Sequence, residues 1–158
     1  MKVSVMLNIN GKDHAVHVEA RRTLADTIRE DCGQTGTHTG CEHGVCGACT
    51  ILLDGEPVRS CLMFAVQAAG KRIRTVEGLA NGTTLHPLQR AFIAHHGLQC
   101  GYCTPGFLML AAGVLERRPD IGDEELLEAL SSNLCRCTGY KNIVKAVRAA
   151  AVEMRARK

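Results

Sequence analysis

The strongest constraint on this chain is the stretch Gly40-Cys41-Glu42-His43-Gly44-Val45-Cys46-Gly47-Ala48-Cys49, completed by Cys61 beyond the turn dipeptide Asp54-Gly55. Its cysteines follow C-x4-C-x2-C, with eleven residues between Cys49 and Cys61. Four thiols gathered by a turn-rich loop hold metal or pair as disulfides. Gly40, Gly44 and Gly47 let the backbone take positive φ and approach whatever the sulfurs hold, so that amide N–H groups point at sulfurs carrying negative charge.

The spacing is the ligand pattern of a plant-type 2Fe-2S centre, in which four thiolates hold two irons. A four-cysteine zinc site spaces its ligands as two C-x2-C knuckles, which the x4 gap fits poorly. A disulfide framework needs a secreted context. The N-terminus, Met1-Lys2-Val3-Ser4-Val5-Met6-Leu7-Asn8-Ile9-Asn10, alternates apolar with polar residues and lacks a small-residue cleavage site, so it reads as a strand rather than a signal peptide. His38 and His43 flank the loop as a Rieske centre would require, but four cysteines already stand at ferredoxin spacing.

A chain of 158 residues makes one ordinary domain or two small ones. Tryptophan is absent and there are three Phe and two Tyr, so aromatic core anchors are scarce. Domains of about 75 residues commonly need a metal or disulfide staple, and nine cysteines supply one twice. No apolar run approaches the ~20 residues that span a bilayer, and a cysteine-rich cytoplasmic protein points to metal. The formal charge of +3 counts cysteines as neutral; two oxidised 2Fe-2S centres bring the loaded chain to about −1, which leaves no basic surface for nucleic acid. The basic residues Arg148, Arg155, Arg157 and Lys158 read as a solvated helix end.

Val3, Val5, Leu7 and Ile9, the Asn10-Gly11 turn, and Val16 and Val18 predict an N-terminal hairpin. Thr23 predicts a helix start with Asp26 as its capping-box partner, ending near Cys32-Gly33. Thr50 to Leu53 and Pro57 to Arg59 form a second hairpin that returns Cys61 to the loop, and Ile73 to Val76 add a last strand. This is a β-grasp order. Near Glu77-Gly78 the apolar period changes from 2 to 3.6, which places a boundary between units 1–78 and 79–158. Thr84 is expected to cap a helix over 85–96, Pro105 to open another that ends before Pro119, and two more to run over 123–130 and 142–155. The expected class is α+β, a β-grasp domain followed by a four-helix bundle.

Cys100-Gly101-Tyr102-Cys103 and Cys135-Arg136-Cys137 make a second quartet at helix ends, where N-termini favour thiolate charge. A C-x2-C paired with a C-x-C across 31 residues suits a cluster or zinc, and spacing alone leaves both open.

The stretches Gly97-Leu98-Gln99-Cys100-Gly101-Tyr102-Cys103-Thr104-Pro105-Gly106 and Asn133-Leu134-Cys135-Arg136-Cys137-Thr138-Gly139-Tyr140 resemble the iron–sulfur subunit of molybdenum hydroxylases, the xanthine dehydrogenase family. Thr37-His38-Thr39-Gly40-Cys41 and Cys46-Gly47-Ala48-Cys49-Thr50 carry the same resemblance, which covers almost the whole chain. It implies two 2Fe-2S clusters, one held by Cys41, Cys46, Cys49 and Cys61 and one by Cys100, Cys103, Cys135 and Cys137. It further implies a large molybdopterin-binding subunit approached by Gln99 and the edge around Cys137, a medium FAD subunit, and a hetero-oligomer such as a dimer of heterotrimers. Electrons would run from molybdopterin through both clusters to the flavin or another acceptor. The chain would then be a non-catalytic part of an oxidoreductase, and no acid, base or nucleophile constellation argues otherwise. A free two-cluster ferredoxin and a zinc-stabilised interaction module are the alternatives.

Cys32, outside both quartets, reads as a buried inert thiol. His95-His96 reads as a helix C-terminal cap. Tyr102 and Tyr140 are expected either to pack over the second quartet or to meet a cofactor or partner subunit.

Overall fold

The computed structural model describes residues 1–156, so Arg157 and Lys158 of the expected basic helix end lie outside the described residues. Alternating apolar residues pair β1 (Lys2–Ile9) with β2 (Lys12–Glu19) as an antiparallel hairpin. Asn10 (φ 52°) and Gly11 (φ 79°) make its turn, as the dipeptide requires. β3 (Thr50–Leu53) and β4 (Glu56–Arg59) form the second hairpin, and β5 (Arg72–Arg74) completes the sheet. The order is β2-β1-β5-β3-β4, with β1 and β5 parallel. Val5, Leu7, Ile9, Val16, Val18, Ile51, Leu53 and Ile73 pack with Leu24 and Ile28 to make the first core.

Thr23 caps α1 (Leu24–Asp26) by accepting the Asp26 amide at 3.1 Å, as expected. The reciprocal half of the box differs, because the Thr23 hydroxyl donates to the Asp26 carboxylate at 2.7 Å. The helix continues as a π turn over Thr27–Asp31. The last strand is shorter than the sequence suggests, since Val76–Gly78 is a 3-10 turn.

Four helices follow: α2 (Pro87–Ala94), α3 (Thr104–Arg117), α4 (Asp123–Ser131) and α5 (Lys141–Ala156). His86, rather than Thr84, caps α2: its Nδ1 accepts the Leu88 amide at 3.2 Å, while Gln89 reaches back to the His86 amide. An imidazole nitrogen does here what a hydroxyl does at most N-termini, and Thr84 is used instead in a bridge with Asn81.

α3 is buried along most of its length and lies across β3 and β4. Gly113 lets it come close, since a Cβ there would stand 2.7 Å from Leu52 Cδ2 and 3.0 Å from Pro57 Cδ. Leu52 therefore belongs to the helical core although it sits on the sheet. Arg74 on β5 adds a forked ion pair to Glu116 on α3, at 2.9 and 3.0 Å. The two halves share apolar surface and charge, so the cysteine loops on each are held against one another. No helix among the described residues is long and apolar enough to cross a membrane.

Candidate iron–sulfur sites

The first loop runs from α1 to β3. Gly44 (φ 84°) and Gly47 (φ 74°) take the left-handed backbone expected of them, and so does Glu42 (φ 57°). Gly40 does not; its lack of a side chain serves close approach, because a Cβ would stand 3.1 Å from Cys46 Sγ. The turns aim amides at sulfur. The Cys46 N–H reaches Cys41 Sγ at 3.4 Å, and the Ala48 N–H reaches Cys46 Sγ at 3.5 Å.

The β3–β4 hairpin returns Cys61 to Cys49, and both thiols are buried beside Ala25. Ser60 fixes the return by donating its hydroxyl to the Cys49 carbonyl at 2.7 Å. Cys41 and Cys61 are electrostatically unequal. The Cys46 and His43 amides draw the Cys41 thiol down to about 6, whereas burial, reinforced by Cys49, pushes Cys61 up to about 12. A metal at this loop displaces the proton that the buried Cys61 thiol otherwise keeps.

The second loops meet at the helix ends. Cys103 is the N-cap residue of α3, and Cys135 and Cys137 precede α5. Cys100 and Cys137 are exposed, with their sulfurs 3.5 Å apart. Two thiolates on one tetrahedral metal at about 2.3 Å stand roughly 3.8 Å apart, so this pair suits a shared metal. Burial pushes Cys103 up to about 12, and the neighbouring Cys135 adds to that. Burial also works against the Cys135 thiolate, but the Thr138 hydroxyl (3.1 Å) and amide (3.4 Å) outweigh it and hold Cys135 below its ordinary value.

The cysteines thus come in two pairs, Cys100 with Cys137 and Cys103 with Cys135. Paired thiols around a cavity of about 170 Å³ suit two metals side by side, and all four line that cavity. Gly40, Cys46 and Ala48 of the first loop line it too. The Leu134 N–H donates to the Cys46 carbonyl at 2.9 Å, so one hydrogen bond joins a residue beside Cys135 to a cysteine of the first loop.

Gln99 is exposed and precedes the exposed Cys100 in the chain. Cys32 is buried and raised to about 11, first by burial and then by Asp31. His38 and His43 do not point to a Rieske site: His38 Nδ1 donates to the Tyr102 carbonyl at 2.8 Å and His43 Nδ1 to the Cys41 carbonyl at 2.5 Å. Tyr140 accepts the Cys135 amide at 3.1 Å, whereas Tyr102 crosses to the first loop, stacking on His38 at 4.6 Å and donating its hydroxyl to the Thr39 carbonyl. Sequence reading missed Arg59, which reaches the Gly44 carbonyl (3.4 Å), the Thr50 hydroxyl (2.6 Å) and Ser132. It also missed Asn133, whose buried side chain donates to the Gly47 carbonyl at 3.3 Å. Arg59 lies in no recognisable motif, and Asn133, although it opens the stretch Asn133 to Tyr140, finds its partner 86 positions away, where no local pattern points.

The sequence matches a 2Fe-2S iron-sulfur cluster binding domain over residues 7–80 and a [2Fe-2S] binding domain over residues 75–148. It is 58% identical over 146 residues to the nicotine 6-hydroxylase small subunit of Paenarthrobacter nicotinovorans, covering 92% of this chain and 88% of that protein. It is 54% identical over 147 residues to the caffeine dehydrogenase subunit gamma of a Pseudomonas species, strain CBB1, covering 91% and 88%. Among solved structures, quinoline 2-oxidoreductase from Pseudomonas putida 86 superposes with a TM-score of 0.92 at 51% identity, over 99% of this chain and 97% of the matched one. With two 2Fe-2S-binding domains in succession and this likeness along nearly its whole length, the chain belongs to the small iron–sulfur subunits of the molybdenum hydroxylase family.

Proposed function

We propose that this chain is the electron-transfer subunit of a heteromeric molybdenum hydroxylase, divided into units 1–78 and 79–158. Cys41, Cys46, Cys49 and Cys61 hold one 2Fe-2S centre, and Cys100, Cys103, Cys135 and Cys137 hold the other. Each centre supplies reversible one-electron exchange when bound. The chain's own residues keep the two loops in contact, exclude bulk water from Cys49, Cys61 and Cys135, and direct amides at sulfur. Exposed Gln99 and Cys137 face the molybdopterin of a large subunit, which oxidises the substrate. Val45, Leu62 and Phe64, exposed apolar residues on and near the first loop, face the onward acceptor, a FAD-bearing medium subunit or its equivalent.

The observation that carries this reading is the contact between the loops: a shared cavity wall and the Leu134-to-Cys46 hydrogen bond bring the two cysteine quartets side by side. Carriers need that closeness, whereas independent structural metal sites do not.

The test is low-temperature EPR of the dithionite-reduced complex, purified anaerobically, with iron, molybdenum and zinc quantified on the same sample. Two distinct signals, about four irons per chain and copurifying molybdenum are expected. Cys49→Ser should remove one signal, and Cys103→Ser the other together with docking to the large subunit. A chain that purifies alone as an active carrier, or either variant keeping both signals, refutes the proposal. The relatives' names contain nicotine, caffeine and quinoline, so a nitrogen heterocycle is the first substrate to supply to the complex.

A further inference from the structure

Arg59 ends β4, two residues before Cys61 and paired across the hairpin with Thr50, the neighbour of Cys49. Its guanidinium is half-buried, and every acceptor it meets is neutral: the Gly44 carbonyl at 3.4 Å, the Thr50 hydroxyl at 2.6 Å, and the Ser132 carbonyl and hydroxyl at 2.8 and 3.2 Å. Among the described residues no carboxylate pairs with it, although Arg22, Arg74, Arg90, Arg117, Arg118 and Arg148 all have one. A fixed positive charge partly withdrawn from water without a counter-charge is costly. The fold keeps it there with its head against the first loop, between Cys41 and Cys46.

We infer that Arg59 is the counter-charge of the first 2Fe-2S centre and raises that centre's reduction potential. The inference rests on the ligand assignment proposed above. A centre on four thiolates carries about −2 when oxidised and about −3 after accepting one electron, supplied by the substrate oxidised in the complex or by dithionite in a titration. A nearby cation lowers the energy of the more negative state more than that of the less negative one, so it favours reduction. Arg59 hydrogen-bonds Gly44 of the first loop and Thr50 next to Cys49, and on the helical side only Ser132, three residues short of Cys135, so its effect is larger on the first centre than on the second. Its Nη2 also reaches the end of α4, where exposed Ser132 gives access to the charge from solvent.

The experiment is an EPR-monitored redox titration of the intact complex, with the first centre's signal identified as the one Cys49→Ser removes. Arg59→Gln should lower the midpoint of that signal and shift the other signal less, and Arg59→Lys should restore most of the wild-type value. Ser132→Asp, which brings a carboxylate to the guanidinium without altering Arg59, should lower the same midpoint, while Ser132→Asn should leave it in place. An unmoved first midpoint in Arg59→Gln or Ser132→Asp overturns the inference, as does Arg59→Lys shifting as far as Arg59→Gln. If Arg59→Gln does not assemble, the Ser132 pair decides alone. A wild-type complex with no such signal would instead remove the ligand assignment, and the inference with it.

Discussion

Replacing Gly106 by alanine separates two opposed effects at the seam between the halves. Gly106 lies in the first turn of α3, and a helical glycine changed to alanine ordinarily gains up to about 1 kcal/mol. Here a Cβ would stand 2.4 Å from the Gly47 carbonyl oxygen, 3.1 Å from Ala48 Cα and 3.2 Å from Asn133 Nδ2. A carbon meets an oxygen comfortably at about 3.3 Å or more, so α3 or the first loop must retreat by roughly 0.9 Å. The obstacle is backbone, which no rotamer change relieves. Overpacking of this kind costs about 1–3 kcal/mol, and the upper end applies where the backbone must move. Subtracting the helical gain leaves a loss of about 2 kcal/mol, or about 4–8 °C in Tm for a chain of this length. Thermal unfolding of the iron-loaded chain, followed by circular dichroism and visible absorption together, measures it. Loop retreat should also perturb the first centre's absorption before the helices melt. If Gly106→Ala is as stable as the wild type or more so, helix propensity outweighs the seam, and close packing of α3 on the first loop does not fix the distance between the sites.

Glu116 is held below the ordinary carboxylate range by His86, whose Nε2 stands 3.7 Å from its carboxylate, and by Arg74, against the cost of its partial burial. A carboxylate whose folded value is depressed stabilises fully above its unfolded value near 4.5, and this is lost as pH falls through the lower folded value. Glu116→Gln should therefore be less stable than wild type in urea at pH 7, with the gap narrowing towards pH 4; a gap constant with pH contradicts the linkage. Cys32, at 9% exposure and raised to about 11, should resist iodoacetamide at pH 7.5 in the folded chain and react on unfolding, as mass spectrometry of the labelled peptides would show. Labelling in the native state would mean that the π turn over Thr27–Asp31 opens readily.

Much of this protein is local in sequence and was therefore legible there. The Asn10-Gly11 turn, the strand alternation, the Thr23 cap, and Pro105 opening α3 each depend on residues within one or two turns of one another. The cysteine spacing states its chemistry because thiolate geometry fixes how far apart ligands fall along a tight loop. Errors arose where one residue type does another's work: His86 supplies the cap expected of Thr84, and Gly40 answers to a sulfur 3.1 Å away rather than to positive φ.

The sequence by itself determined two cysteine quartets, two kinds of domain and the family. Only the tertiary structure decided how the quartets meet. Leu134 bonding Cys46, Asn133 bonding Gly47, Tyr102 stacking on His38, and Arg59 spanning Gly44 and Ser132 join residues 15 to 88 positions apart. No periodicity, cap or spacing encodes such pairs, because they exist only once α3 has packed across β3 and β4. That packing follows from burying Leu52, Phe107 and their neighbours, an undirected apolar force that brings the faces together. The polar contacts formed at the seam then fix the separation of the two sites.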